Sequence, residues 1–316
     1  MNLYKINILP QSYFCTPIKG DMFFGCFCCA MADLFGAEKL SSCLSGYTEN
    51  SPFVVFSDAF PSGFLPKPCL PASYFYKKKN NETDNFDASK RKEAKKKIWL
   101  PVGKITLSTQ EMQEYLKDVS FKRNLFKVSN KINPKTNHAS GGEYSAYTIE
   151  QFRYTTSLEI YVLIDESKIK VSEVEAVINQ IGLYGYGKRA SAGGGKFTIL
   201  NSLTKVDDLV KHSGTKFMAL APCVLRDDTL YTSECFYKVF VRFGRHGGSL
   251  ATASNPFKRP VIMMDTNAVL TFKGDKTSSL FVGSGLKGTS LVDDRTVFQA
   301  YAPIIPILAE EFSNEI

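Results

Sequence analysis

Hydrophobic and polar positions alternate from the first residues: Leu3, Lys5, Asn7 and Leu9 against Tyr4, Ile6 and Ile8, closed by Pro10. That period of two predicts a strand. A polar turn, Thr16-Pro17-Ile18-Lys19-Gly20, leads to Asp21, a good helix N-cap, with Gly36 placed to stop the helix after Leu34-Phe35. This helix is apolar nearly all round, which predicts burial on more than one side. Phe53 to Asp58 reads as a strand and runs into Phe60 to Pro68, where four of nine residues are Pro or Gly and an ordered, irregular loop is expected.

Regular patterning resumes at Ser157 to Ile164, a strand rich in β-branched residues. The helix after it carries a Ser172–Glu175 capping box, apolar residues at Val174, Val177, Ile178 and Ile181, and Gly182 as its expected end. Lys196 to Leu200 reads as a further strand. Up to about residue 200 the order is β-α-β, insertions, β-α-glycine loop-β, the split βαβ order of a ferredoxin-like domain. Two polar stretches, about 77–97 and 117–142, interrupt it; loops of that length inside a domain are functional or disordered. Beyond 206, strand-like pieces (Phe217–Leu220, Phe236–Val241, Val261–Met264) with weak helix signals predict a second, irregular β-rich domain. The expected division is therefore 1–205 and 206–316, with a glycine-rich loop at 185–195.

Composition changes this picture in few places. Of 316 residues, 44% are hydrophobic and 13% aromatic, enough for a packed core, and no apolar window is long enough for a membrane span. The N-terminus lacks the continuous apolar stretch of a signal peptide, so a cytoplasmic protein is expected. The net charge of +8 suggests an anionic partner, but Lys77 to Lys97 alone holds nine Lys or Arg and four Asp or Glu, leaving +3 for the rest. That run reads as a solvated insertion or as a phosphate-attracting arm. Eight cysteines include Cys26 and Cys29 at C-x-x-C spacing, yet there is no second pair and only three histidines, so zinc and disulfides are not expected.

The densest chemistry lies in Gly185-Tyr186-Gly187-Lys188-Arg189-Ala190-Ser191-Ala192-Gly193-Gly194-Gly195-Lys196. Glycines let a backbone approach phosphates, and Lys188, Arg189 and Lys196 add charge. The segment fits G-x-G-x-x-A formally, but that fingerprint follows a strand and opens a helix, whereas here the order is reversed. A P-loop needs Ser or Thr after the lysine, and Lys196 precedes Phe197. Gly283 to Gly288 also matches the dinucleotide pattern, with only 28 residues after it, so no nucleotide cofactor is expected. Asp207-Asp208 and Asp293-Asp294 read as surface turns. His138, alone in a basic loop, is the one candidate for a general base. No enzyme is expected.

Three stretches carry a resemblance. Thr16-Pro17-Ile18-Lys19-Gly20-Asp21-Met22-Phe23-Phe24-Gly25, then Ser57-Asp58-Ala59-Phe60-Pro61 with Leu65-Pro66-Lys67-Pro68, and then the glycine segment, resemble motifs of the fourth-subunit family of the Csm complex, RAMP proteins of type III-A CRISPR effectors. The resemblance runs from about residue 3 to 200, with an echo at His246-Gly247-Gly248. It implies an α+β chain of tandem ferredoxin-like (RRM-related) domains, the second degenerate and β-rich. It also implies a non-catalytic role holding the 5′ handle of the crRNA, with the large Palm-domain subunit and a backbone RAMP subunit as protein partners. Carried onto this sequence, RNA contacts would come from Lys188, Arg189, Ser191, Gly193, Gly194, Gly195 and Lys196. An arm rich in basic residues and Asn would add Lys122, Arg123, Asn130, Lys131, Asn133, Lys135 and His138, and the remaining contacts would be Lys19 and Arg245. No metal or cofactor is implied. The alternative is a metal-independent CRISPR repeat endoribonuclease of the same superfamily, with His138 or a lysine as base.

Overall fold

A computed structural model describes residues 1–75, 95–139, 142–225, 230, 232–273 and 279–310. Most of the lysine-rich run at 77–97 lies outside the described residues, as do 140 and 141 at the end of the second polar stretch.

The alternating N-terminus forms β1 (Asn2–Pro10), followed by α1 (Gly20–Phe35), α2 (Ala37–Leu44) and β2 (Val54–Pro61). α1 buries Phe23, Phe24, Phe27, Ala30 and Met31, as its all-round apolar pattern requires, and ends at Gly36 with φ +87°. Its N-terminus corrects the sequence reading. Lys19 holds the cap position without its side chain capping the helix, while Asp21 sits inside the first turn and is buried, where it meets Arg242. The Pro/Gly-rich segment is more regular than expected: β3 (Phe64–Pro66) pairs antiparallel with β4 (Trp99–Pro101). α3 (Thr109–Tyr115) starts at a Ser108–Glu111 capping box. The second polar stretch is also not a loop. It folds as a two-stranded ribbon of β5 (Lys122–Ser129) and β6 (Tyr147–Tyr154).

β7 (Leu158–Ile164) is buried at every position and leads to α4 (Val171–Tyr184), β8 (Phe197–Ile199) and β9 (Thr204–Lys205). Val174, Val177, Ile178 and Ile181 face the core, but the helix bounds differ from the sequence reading. The Lys170 N–H donates to Glu173 Oε2 (2.9 Å), so the cap lies two residues earlier than Ser172–Glu175. Glu175 instead accepts from the Leu203 N–H (3.0 Å). Gly182 does not end the helix; a Cβ there would lie 2.4 Å from the Phe197 carbonyl oxygen, so glycine lets β8 pack close. The strands order as β2-β7-β1-β8, with β9 on the far half of β1, and β1–β7, β2–β7 and β1–β8 are all antiparallel.

The second half builds another sheet from β10 (Lys216–Ala219), β13 (Val269–Leu270), β14 (Phe281–Leu286) and β15 (Phe298–Ile307), in order β13-β10-β15-β14. Between β10 and β13, β11 (Val239–Arg242) and β12 (Val261–Met264) form a second separate ribbon. Among the described residues no α-helix follows α4. The two sheets share a scheme: a first strand in the interior, beside a sequential antiparallel pair. They differ at the edge next to that first strand, taken by the last strand β8 in one and by β13, the next sheet strand after β10, in the other. β15 is buried along all ten residues and packs on α1 and β2, so one continuous core contains Phe27, Val162 and Ile305 together.

Candidate nucleic-acid interface

The glycine segment leaves α4 at Gly185 (φ +100°) and doubles back on itself. The Tyr186 N–H donates to Gly195 O (2.9 Å), the Gly194 N–H to Arg189 O (3.0 Å) and the Gly195 N–H to Tyr13 O (2.7 Å). A Cβ at Gly195 would lie 2.1 Å from Tyr186 O, and one at Gly185 would lie 2.3 Å from Gly194 O. Gly194 and Gly195 are therefore buried in the loop's own interior. Their smallness closes the loop. Lys188, Ser191, Gly193 and Lys196 remain exposed, and Arg189 is half-buried with φ +70°, an uncommon conformation for a side-chain-bearing residue. The loop is fixed from outside by the segment after β1. The Lys188 N–H donates to Thr16 Oγ1 (3.1 Å), the Lys196 N–H to Ser12 Oγ (2.8 Å) and Tyr13 Oη to Ala192 O (2.9 Å).

The β5–β6 ribbon has two unlike faces. Lys122, opposite Tyr154, turns inward, with its ammonium 5.0 Å from the Phe121 ring centroid, 5.3 Å from Phe152 and 5.4 Å from Tyr154. Burial, aided by the nearby charge of Lys19, holds its pKa below the ordinary lysine value. Phe14 exchanges two backbone hydrogen bonds with Phe152 (2.8 Å each), which docks the ribbon's base beside the glycine loop's anchors. The other face carries Arg123 directly opposite Arg153. Both are exposed, and neither meets a carboxylate among the described residues. Like charges so placed destabilise a ribbon unless an anion lies between them.

The ribbon and the glycine loop meet. Arg189 Nη2 donates to Tyr147 Oη (3.4 Å), and Tyr147 pairs with Ser129 at the ribbon's end. Asn130, Lys131, Lys135 and His138 lie exposed in the connection that leaves this end. Asn133 is half-buried and builds the turn there: its Oδ1 accepts from the Lys135 N–H (2.9 Å), and its own N–H donates to His138 O (3.0 Å). A ring nitrogen of His138 contacts the Thr136 carbonyl.

Of the two further expected contacts, Lys19 lies beside the glycine segment, its N–H donating to Tyr186 Oη (3.4 Å), and Arg245 lies apart. Lys19 Nζ is paired with Asp58 Oδ2 (2.7 Å) and Asp265 Oδ1 (3.2 Å). Burial opposes its charge, but the two carboxylates hold its pKa above the ordinary value. Asp58 also accepts from the Gly20 N–H (2.9 Å) and from Thr266 Oγ1. Ser57 and Asp58 stand where the register of β2 shifts, between Phe56 and Ala59. At this bulge the Asp58 N–H donates to Leu220 O, and the Gln299 amide both donates to and accepts from the Phe56 backbone. Lys19 thus serves the joint between the two sheets, with its charge offset by two carboxylates. Arg245 lies at the end of the β11–β12 ribbon, stacked 5.6 Å from the Phe257 ring centroid. Among the described residues, its guanidinium reaches the Ala251 carbonyl (3.5 Å) and not the glycine loop.

Tyr13, Thr16, Tyr147 and Arg153 belong to the candidate surface by contact or register and were not singled out from the sequence. The available signal was a period of two in Lys122–Ser129 and Tyr147–Tyr154, obscured because neither strand has a consistently apolar face. The cysteines carry no disulfide, and burial pushes the Cys26 thiol up to about 11. Among the described residues no helix is long and apolar enough to cross a membrane, and no group of three His, Cys, Asp or Glu is placed to hold a metal ion.

Comparison of the sequence with family models and with curated proteins yields no match. Solved structures do match. A chain of the Csm1–Csm4 cassette in complex with pppApA superposes with TM-score 0.59 at 11% identity, covering 98% of this chain and 99% of that one. A chain of the Csm3–Csm4 subcomplex of a type III-A CRISPR-Cas interference complex gives 0.56 at 15% identity, covering 97% and 99%. The subunit common to both assemblies is Csm4. This chain has the Csm4 fold. At identity this low over nearly the whole length, the likeness to Csm4 is one of fold.

Proposed function

We propose that this chain is a non-catalytic, cytoplasmic RNA-binding subunit of a type III-A CRISPR effector, holding the 5′ handle of the crRNA. In this reading it bridges the large Palm-domain subunit to the backbone RAMP subunits. The N-terminal half (1–205) is the ferredoxin-like domain that bears the site, and the C-terminal half (206–316) is its degenerate second copy. One observation carries the RNA assignment: the Arg189–Tyr147 contact brings a basic glycine loop to the end of a ribbon whose face holds Arg123 and Arg153 without counter-charges. A single-stranded RNA supplies what that surface lacks: phosphates for the unpaired guanidiniums and bases able to stack on exposed aromatic rings. The Csm4 fold supports the choice of complex.

The chemistry of the site favours holding over cutting. The His138 ring contacts a backbone carbonyl, and no carboxylate among the described residues orients it as a general base. Purifying the chain with its co-expressed Csm-type subunits and sequencing the extracted RNA tests the reading. Guide RNAs sharing one 5′ end are expected, and their loss on Arg189→Glu with Lys188→Glu. Metal-free cleavage of labelled repeat RNA that disappears in His138→Ala would replace this reading with the endonuclease.

A further inference from the structure

The β11–β12 ribbon stands apart from both sheets, joined to the core mainly through its inner face. There Phe240, Val261 and Met263 pack with Leu286, Phe298 and Ala300. Its base is fixed by the Cys223–Met264 bridge, and Arg242 is bidentate on buried Asp21 (2.6 and 3.1 Å). The ribbon is therefore preorganised, yet its outer face has no cover. Val239 (63% exposed), Val241, Phe243 (75%) and Ile262 (70%) share that face by register and alternation, and Phe257 (61%) is exposed at the end beside Arg245. A contiguous apolar patch on a fixed element marks a docking surface.

The surrounding charge says what docks. From residue 235 to 264 there is no Asp or Glu, while Lys238, Arg245 and Arg259 are exposed around the patch. Asp265, just beyond, is held by Lys19. Three aliphatic β-branched side chains offer neither donors for phosphates nor ring planes for bases, so the centre of this patch does not suit RNA. We infer that the outer face of the β11–β12 ribbon docks a second protein subunit of the effector, through an apolar patch on that subunit rimmed by carboxylates. Aliphatic contact at the centre and basic residues at the rim match the usual anatomy of such interfaces. This inference rests on the proposed membership of a multisubunit effector and is independent of the RNA site.

The test compares amide hydrogen exchange of the full chain free, with a single-stranded RNA oligonucleotide, and in the complex with its co-expressed large and backbone subunits. Protection of 239–243 and 257–262 is expected in the complex and not with RNA alone. Val241→Asp with Ile262→Asp should abolish retention in the complex while leaving RNA affinity and the thermal midpoint of the free chain unchanged. Unchanged exchange in a complex that keeps this chain overturns the inference. So does protection by RNA alone, protection that grows with the free chain's concentration (a second copy), or protection already present in the dilute free chain (a segment of its own). A complex assembled through the ribbon but empty of RNA sinks the RNA-holding reading and leaves the docking surface standing. Failure to assemble at all overturns both.

Discussion

Two antiparallel ribbons rise from this molecule, one from each half. Each lies outside the sheets and is tied to the core on one face. For β11–β12 the tie is through Phe240, Val261 and Met263, and for β5–β6 only at its base, since Phe126 and Val128 farther along the Lys122 face are exposed. The β5–β6 ribbon is held by aromatic packing around Lys122 and a backbone bridge to Phe14, and it displays Arg123 against Arg153. The β11–β12 ribbon is held by a buried ion pair, Asp21–Arg242, and displays Val241 against Ile262. The same backbone device thus presents opposite chemistries. What lies across from each outward residue, a like charge or another aliphatic, decides whether the face would suit an anion or an apolar surface.

The largest effect is expected where the attachment itself is cut. Arg242→Ala leaves the buried Asp21 carboxylate without its partner and should cost about 3–5 kcal/mol in denaturant unfolding. RNA affinity should not change, because the basic ribbon is anchored elsewhere; a large loss of RNA binding would show that the two ribbons are not independent.

Next comes pH. Burial pushes the Asp21 carboxyl up to about 6, with Arg242 pulling the other way. The folded value lies above the unfolded one of about 3.9, so the folded state holds this proton more tightly. The contribution of Asp21 is full below about pH 4 and is lost as pH rises through about 6, on the order of 3 kcal/mol. The stability of the wild type minus that of Asp21→Asn should therefore fall between pH 4 and 7, read from thermal midpoints; a flat difference removes the buried-carboxylate account.

The arginine pair should behave in the opposite way from the ion pair. Arg123→Ala with Arg153→Ala is expected to weaken binding of single-stranded RNA roughly tenfold to a hundredfold and to flatten its salt dependence by about 1.4 in the log–log slope. Stability should rise by a few tenths of a kcal/mol, about what relief of a cross-strand repulsion provides. Binding lost together with stability would mark the pair as structural.

The smallest effect separates neighbours. Lys122→Met should leave RNA affinity unchanged and cost about 1 kcal/mol through its aromatic contacts, whereas Arg123→Met should lower affinity with no loss of stability. Equal effects on affinity would mean that the ribbon does not have two distinct faces.

Some of this was legible in the chain and some was not. The strand at Leu3–Leu9 and the core face of the 171–184 helix follow from local periodicity, and the strand at Ser157–Ile164 from its β-branched content, which suits a strand buried on both faces. The glycine segment was legible as a special loop, but its reason was not. Gly185, Gly194 and Gly195 are required by close approaches to the Gly194 carbonyl, the Tyr13 ring and the Tyr186 backbone respectively, approaches that exist only once the loop has folded. The Ser57–Asp58 signature was read as a family mark, and the structure makes it a bulge that hands backbone groups to the second sheet. Asp21 read as an N-cap because Asp caps helices on average; its partner lies 221 residues away, beyond any local rule.

By itself the sequence determined that helices and strands mix, the order of the four main strands and two long helices of the first half, and that a basic glycine loop joins a helix to a strand. Those depend on short-range alternation and on residue types with strong backbone preferences. Only the tertiary structure decided which cations are free. Lys19 is neutralised by Asp58 and Asp265, and Lys122 is enclosed by three rings, while Arg123, one residue on, faces solvent opposite Arg153. Charge is written in the composition, but whether a charge is available depends on partners brought together from distant parts of the chain.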